Sequence, residues 1–237
     1  MNKLKQLLIF GGLTALVCSC HKETVQMSLE SSSPGIQWEI KPQADLEGID
    51  GREISTPGYR MEDAIPGVVP GTVFTSYVEA GKEPDPNYGD NIYKVDETFY
   101  NRPFWYRTEF SLPAGYREGQ RVWLHFDNTN RFADFYFNGQ KISGSYTSTK
   151  DVSGHMIRSK FDVTQWIDPK GKNAIAVLIY DPDQKKTRTD KGPYGVACSP
   201  SYLAGAGWDW MPYVPGRLAG ITGHCYLRIT GDVVMED

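Results

Sequence analysis

The run Ala133-Asp134-Phe135-Tyr136-Phe137, broken by Asn138-Gly139 and resumed as Gln140-Lys141-Ile142, constrains this chain more than any other stretch. Aromatic and branched residues suit a pleated, half-buried surface. Asn and Gly both tolerate the positive φ of a type I′ turn, whose twist matches that of two antiparallel strands. A hairpin at 133–142 is therefore expected, and the rest of the chain must supply strands for it to pair with. Candidates lie at 36–40, 104–112, 121–126, 161–164, 174–180 and 224–230. The run Arg121-Val122-Trp123-Leu124-His125-Phe126 alternates strictly, as a strand with one wet face does. Residues 174–180 are almost continuously apolar and suit a central strand.

One helix is expected near residue 73. Thr72 can cap its N-terminus, Val73, Phe74, Tyr77 and Val78 fall on one face, and Gly81 supplies the stop. The rest of 41–71 reads as irregular chain rich in Pro-Gly pairs. Short strands divided by turn residues, one short helix and no βαβ alternation predict an all-β protein, an antiparallel β-sandwich. A core of some two hundred residues fits one such domain.

Two stretches hold the candidate chemistry. Gly207-Trp208-Asp209-Trp210-Met211-Pro212 sets a carboxylate between two indoles, at the end of a connection running from 181 that is far longer than a sandwich needs. Indole faces stack on the C–H face of a sugar, and a carboxylate accepts from its hydroxyls. The same residues also suit core packing, with Asp209 capping a turn. Pro84-Asp85-Pro86-Asn87-Tyr88-Gly89-Asp90-Asn91 reads as a rigid loop that could present Asp90 and Asn91, or as a plain solvated turn.

The N-terminus reads as a targeting segment. Lys3 and Lys5 precede an apolar run over 7–17, too short to span a bilayer comfortably. The run ends Val17-Cys18-Ser19-Cys20, which resembles a bacterial lipobox with Cys20 as the lipidated residue; a plain cleaved secretion signal is the alternative. Residues 1–19 are thus expected to be a lipoprotein signal peptide and 20–35, polar and Ser-rich, a flexible tether. The protein is then expected in the bacterial cell envelope, lipid-anchored on the periplasmic or outer-membrane surface, touching membrane through that lipid only. Loss of Lys3 and Lys5 takes the net charge from −4 to −6, and no basic cluster offers nucleic acid a footprint. Beyond Cys18 and Cys20 there remain Cys198 and Cys225, which could pair in an oxidising compartment. The histidines at 125, 155 and 224 are scattered, no metal-ligand spacing is present, and no cofactor is implied.

Six motifs then occur in series: Val69-Pro70-Gly71-Thr72-Val73, Pro86-Asn87-Tyr88-Gly89-Asp90-Asn91, Phe104-Trp105-Tyr106-Arg107, Phe132 through Gly139, Phe161-Asp162-Val163-Thr164 and Gly207 through Pro212. Together, over residues 36–231, they resemble the N-terminal sugar-binding domain of glycoside hydrolase family 2, on its β-mannosidase and exo-β-glucosaminidase side. The resemblance implies a jelly-roll, galactose-binding-like sandwich whose long loops help complete the pocket for a terminal β-linked sugar on a TIM-barrel catalytic domain. It implies that Trp208, Asp209 and Trp210 reach that pocket, with Asp90 and Asn91 near its mouth. Relatives usually continue Arg-Asn-Thr-Gly-Ile-Trp after the Trp-Asp-Trp element, whereas this chain reads Arg217-Leu218-Ala219-Gly220-Ile221-Thr222.

Retaining glycosidases need two carboxyls about 5–5.5 Å apart. In the family both are glutamates of the barrel, which would follow the linker expected to start at 232–237. The expectation is a non-catalytic sugar-binding domain, inactive alone, cut from a longer exo-β-glycosidase acting on β-mannoside, β-glucosaminide or β-galactoside glycans. Its alternatives are a free-standing glycan-binding lipoprotein and a structural module with a dead sugar site.

Overall fold

The computed structural model describes residues 24–130, 132–143, 157–180 and 218–233. In chain order the strands are β1 Val25–Ser28, β2 Trp38–Pro42, β3 Ile65–Gly67, β4 Phe104–Phe110, β5 Arg121–Phe126, β6 Ala133–Phe137, β7 Gln140–Lys141, β8 Ser159–Asp162, β9 Asn173–Ile179 and β10 Cys225–Thr230. They form two antiparallel sheets, β1-β10-β5-β8 and β3-β2-β4-β9-β6-β7. This is the expected sandwich.

The core lies between the sheets because alternate residues of each strand point inward. Trp38 and Ile40 of β2, Tyr106 and Phe110 of β4, Ile175 and Val177 of β9 and Phe135 of β6 meet Val122, Leu124, Leu227 and Ile229 from the facing sheet. Each such side chain contributes roughly 1.5–3 kcal/mol by leaving water. The hairpin forms as the sequence requires: Asn138 and Gly139 both take positive φ, 44° and 79°. The Asn138 side chain donates to Trp166 O (2.7 Å) and Asn173 Oδ1 (2.7 Å) and accepts from Ala174 N (2.8 Å), tying the turn to β9.

The helix α2, Val73–Glu79, begins where expected: Thr72 Oγ1 accepts from Thr75 N at 3.0 Å, and Val73 and Phe74 are buried. The stretch before it is more ordered than its Pro-Gly content suggests. A one-turn helix, α1 (Gly51–Ile54), capped by Asp50, is a second helix where one was expected. With its neighbours in 43–64 it lies over the outer face of the six-stranded sheet, where Leu46, Ile54 and Met61 pack on Trp105, Tyr136, Ala176 and Leu178. This cover explains why β9 is apolar throughout: all seven of its residues are buried, one set facing each layer. Arg107, also on that outer face, donates to Ile54 O (2.9 Å) and Thr56 O (3.1 Å) and pairs with Glu109. The strap is thus held by hydrogen bonds as well as by packing.

The expected tether needs correction. Val25–Ser28 is a strand on the edge of the four-stranded sheet, paired with β10 from Val25↔Ile229 to Ser28↔Tyr226. Val25 and Met27 turn to the core while Gln26 and Ser28 face solvent. The following residues are fastened by Trp38 Nε1 to Leu29 O (2.6 Å) and by Ser31, whose N–H donates to Val69 O at 2.7 Å. A polar, Ser-rich segment becomes a strand here because β10 otherwise leaves an edge of unpaired backbone groups. The signal peptide and Cys20 lie outside the described residues.

Three backbone segments are laced together beside α2. Gly71 N donates to Ile221 O (2.8 Å) and Val73 N to Ala219 O (2.8 Å), while Asn130 and Gly220 exchange both backbone bonds at 2.8 Å. Asn130 Nδ2 adds a bond to Leu218 O at 2.9 Å. Gly220, at φ +155°, makes the close approach possible: a Cβ there would stand 2.7 Å from Thr72 Cα and closer still to the Gly71 carbonyl oxygen. Gly220→Ala is expected to cost about 1–3 kcal/mol and lower Tm by roughly 3–10 °C in a thermal melt. An unchanged melt would show that the lacing carries no strain-sensitive load.

His224 Nδ1 meets Glu30 Oε1 at 2.6 Å, clipping the segment after β1 to the start of β10. The hydrogen bond and the charge of Glu30 raise the His224 pKa above its ordinary value. The clip is therefore fully present below the unfolded imidazole pKa and is lost as pH rises through the higher folded value. Glu30→Gln should bring the His224 titration, followed by NMR, down toward the ordinary imidazole value; the same midpoint in both proteins would rule out the coupling.

Candidate functional site

The register puts the long connections at one end of the sandwich. In the six-stranded sheet Pro42, Phe104, Ile179 and Ala133 stand in one row. In the four-stranded sheet Cys225, Phe126 and Ser159 form the matching row, and residues 127–132 join the two at Ala133. Residues 84–103 therefore arrive at this end, where Tyr180 and Leu218, the residues that flank 181–217, also stand. The opposite end has compact turns, such as the one where Asp168 Oδ1 accepts from Lys170 N (2.9 Å) and Gly171 N (2.8 Å).

Both stems of the 181–217 connection meet the 127–134 segment. Tyr180 N donates to Phe132 O at 3.0 Å, and the Tyr180 hydroxyl donates to Asp134 Oδ2 at 3.1 Å. Lys141 Nζ reaches the same oxygen at 2.9 Å. Asp134 is almost fully buried, and among the described residues its Oδ1 has no hydrogen-bond partner. The returning stem is the laced segment at 218–223, where Thr222 Oγ1 accepts from Asn128 Nδ2 at 2.6 Å. Leu218, Ala219 and Ile221 are buried. At the positions where relatives are expected to carry Asn and Thr, this chain therefore spends its side chains on packing.

Residues 84–94 present the second predicted element. Asp90 is exposed and pairs with Lys94 Nζ at 2.8 Å. Asn91 is half-buried; its Nδ2 donates to Asp85 O (3.0 Å) and its Oδ1 accepts from Lys94 (3.1 Å). The amide thus fastens the loop, and the carboxylate is the freer of the two. Tyr88 and Tyr93 flank them at 76% and 87% exposure, enough to offer whole ring faces to a ligand. The loop is anchored by an aromatic cluster in which Tyr77, Phe99 and Tyr100 meet edge-on at 5.1–5.7 Å. Burial, then the bond from its hydroxyl to Glu83 Oε1 (2.8 Å), keeps the Tyr100 proton on; burial likewise pushes Tyr77 up to about 12. Neither phenol can act as a base near neutral pH.

Trp208, Asp209 and Trp210 lie outside the described residues, as do Cys198 and His155. The structure therefore brings Asp90 and Asn91 to the same end of the fold as both stems of the connection that carries the Trp-Asp-Trp element. Sequence reasoning did not single out Asp134, Lys141 and Tyr180, nor the exposed Tyr88 and Tyr93. Strand alternation places Asp134 on an outer face, which normally means solvent. Lys141 reaches it across the hairpin and Tyr180 from just beyond β9. Among the described residues no cluster of His, Cys, Asp and Glu could hold a metal ion, and Cys225 is a buried free thiol.

The family described as glycosyl hydrolase 2 galactose-binding domain-like matches residues 38–223. An exo-β-D-glucosaminidase of Streptomyces avermitilis is 28% identical over 185 residues, covering 78% of this chain and 18% of its own. A mannosylglycoprotein endo-β-mannosidase of Lilium longiflorum is 30% identical over 207 residues, covering 82% of this chain and 20% of its own. The chain thus spans about a fifth of the length of these curated relatives. Among solved structures, the exo-chitosanase of Amycolatopsis orientalis superposes with a TM-score of 0.66 at 24% identity, over 87% of this chain and 21% of that one. The β-D-mannosidase of Dictyoglomus thermophilum gives 0.59 at 22% identity, over 86% and 22%. The structural likenesses carry the fold, and the sequence match carries the family. This chain belongs to the glycosyl hydrolase 2 galactose-binding domain-like family.

Proposed function

We propose that the chain is the non-catalytic, sugar-contacting N-terminal part of a larger exo-β-glycosidase acting on β-mannoside, β-glucosaminide or β-galactoside glycans. The observation that carries this reading is the gathering of residues 84–103 and both stems of 181–217 at one end of the sandwich. In this arrangement Asp209 accepts from hydroxyls of a terminal β-linked sugar, Trp208 and Trp210 flank it, and Asp90 with Asn91 stands at the mouth. The paired glutamates that break the bond belong to a neighbouring TIM barrel, reached through a linker starting at 232–237. Relatives named for glucosaminide and mannoside hydrolysis support the substrate class. A second reading, a structural module without a working sugar site, is favoured by the burial of Leu218 and Ala219 next to the element.

Titration calorimetry with a β-linked glycoside separates the two. The sugar-contact reading expects weak binding by the wild-type chain, reduced about 10- to 100-fold in Asp209→Ala, as for a lost hydrogen bond to a charged group. No binding by the wild type, or equal binding by both, would leave the structural reading. In the same proposal residues 1–19 are a lipoprotein signal peptide and Cys20 carries lipid in the bacterial envelope. Cys20→Ala should then move the protein from the membrane to the soluble fraction of its host; a membrane-bound variant would sink the anchor.

A further inference from the structure

The two sheets differ on their outer faces. Residues 43–64 cover the six-stranded sheet, whereas most outward residues of the four-stranded sheet stay open: Gln26, Ser28 and Lys160 are exposed, Trp123, Tyr226 and Arg228 are half-buried, and His125 is buried. Register sorts them into two rows across the strands, Ser28–Tyr226–His125–Lys160 and Gln26–Arg228–Trp123–Asp162.

The first row holds a ring stack. His125 and Tyr226 lie 4.7 Å apart with planes 8° from parallel. That separation equals the spacing of adjacent strands, so the stack runs across the sheet. One face of Tyr226 is covered by His125, and the other looks toward β1, where Ser28 offers only a hydroxymethyl group. His125 Nε2 is buried and has no hydrogen-bond partner among the described residues. Burial, then the charges of Lys160 and Arg228, hold the His125 pKa down to about 4, so the imidazole is neutral near pH 7.

Both rows supply charge. Lys160 Nζ sits 4.2 Å over the Trp123 ring, which holds the cation on this face. Arg228, two residues along β10 from Tyr226, forms no ion pair among the described residues, whereas Arg121 is spent on Asp162 at 3.0 Å. This cationic surface stands on a chain whose net charge is −4.

We infer that the outer face of the four-stranded sheet is a second saccharide site, selective for an acidic sugar of the uronate type. The pyranose rests on the open face of Tyr226 beside Ser28, its carboxylate is paired by the Arg228 fork, and the Gln26 amide meets its hydroxyls. Asp127 lies at the Tyr226 hydroxyl and Asp162 is held by Arg121, so Lys160 and Arg228 carry the charge that favours an anionic over a cationic glycan. The acidic remainder of the chain disfavours nucleic acid, whose phosphates need a broad basic footprint.

Calorimetry and NMR on the full chain test this with a galacturonic acid oligosaccharide, its neutral galactose counterpart and a short single-stranded DNA. The acidic oligosaccharide should bind, weaken with added salt, and shift the Tyr226 and Arg228 resonances, while the neutral one should bind at least about tenfold more weakly. Arg228→Gln should lower affinity about tenfold or more, with an unchanged melting curve, and Tyr226→Ala should do likewise. Asp209→Ala should leave this binding untouched, which separates the site from the loop-end site. Should Tyr226→Ala fail to fold, Arg228→Gln decides. The inference is overturned if the acidic sugar does not bind, if Arg228→Gln binds it as the wild type does, if the neutral sugar binds equally, or if the DNA competes on equal terms.

Discussion

The backbone lacing of 70–73, 128–130 and 218–221 is the constraint on which the functional end of this molecule depends. The residues on either side of 181–217 are each fixed by the described fold. The outgoing end is fixed because it continues β9, whose residues are buried on both sides. The returning end has no strand to lean on until Cys225. It is held instead by bonds to Gly71 and Val73, at the start of α2, and to Asn130, in the turn after β5. Gly220 is required there because a Cβ at its position would run into the Gly71–Thr72 backbone and the Tyr106 hydroxyl.

That lacing also accounts for what this chain has done with the residues after the Trp-Asp-Trp element. Ala219 and Ile221 fill the core beside Val73, and Leu218 is nearly closed off. Polar side chains there would need buried partners, and an unmet polar group costs on the order of 1–3 kcal/mol. Apolar residues avoid that cost.

The asymmetry of the two sheets is the second organising fact. The strap at 43–64 turns one sheet into the middle of three layers, and Arg107 is satisfied there by backbone carbonyls and Glu109. The other sheet keeps a wet face whose aromatic and cationic residues stand in register rather than scattered. Long charged side chains on a sheet face usually serve solubility, but an ordered ring stack with an imidazole nitrogen unpartnered among the described residues goes beyond that need.

Much of this was legible in the residues. Strand positions at 121–126 and 133–137, the Asn138-Gly139 turn and the Thr72 cap are set by local sterics and by a period of two, which a single sequence carries in full. The apolar run at 174–180 also announced a central strand. The strand at Val25–Ser28 was not legible, because its composition is that of a linker and its order comes from the edge of β10. The strap was hidden for the same reason: Pro-Gly pairs mark turns but do not say which sheet they cross. For the candidate site, sequence named Asp90 and Asn91, yet only the fold assigns the amide to holding the loop and leaves the carboxylate exposed. The amino-acid sequence by itself specified the strongly patterned strands, the hairpin and the sandwich class, since those follow from short-range geometry and burial pattern. Tertiary structure alone decided which loops share an end, which sheet face stays wet and which polar groups are buried, since each depends on partners distant along the chain.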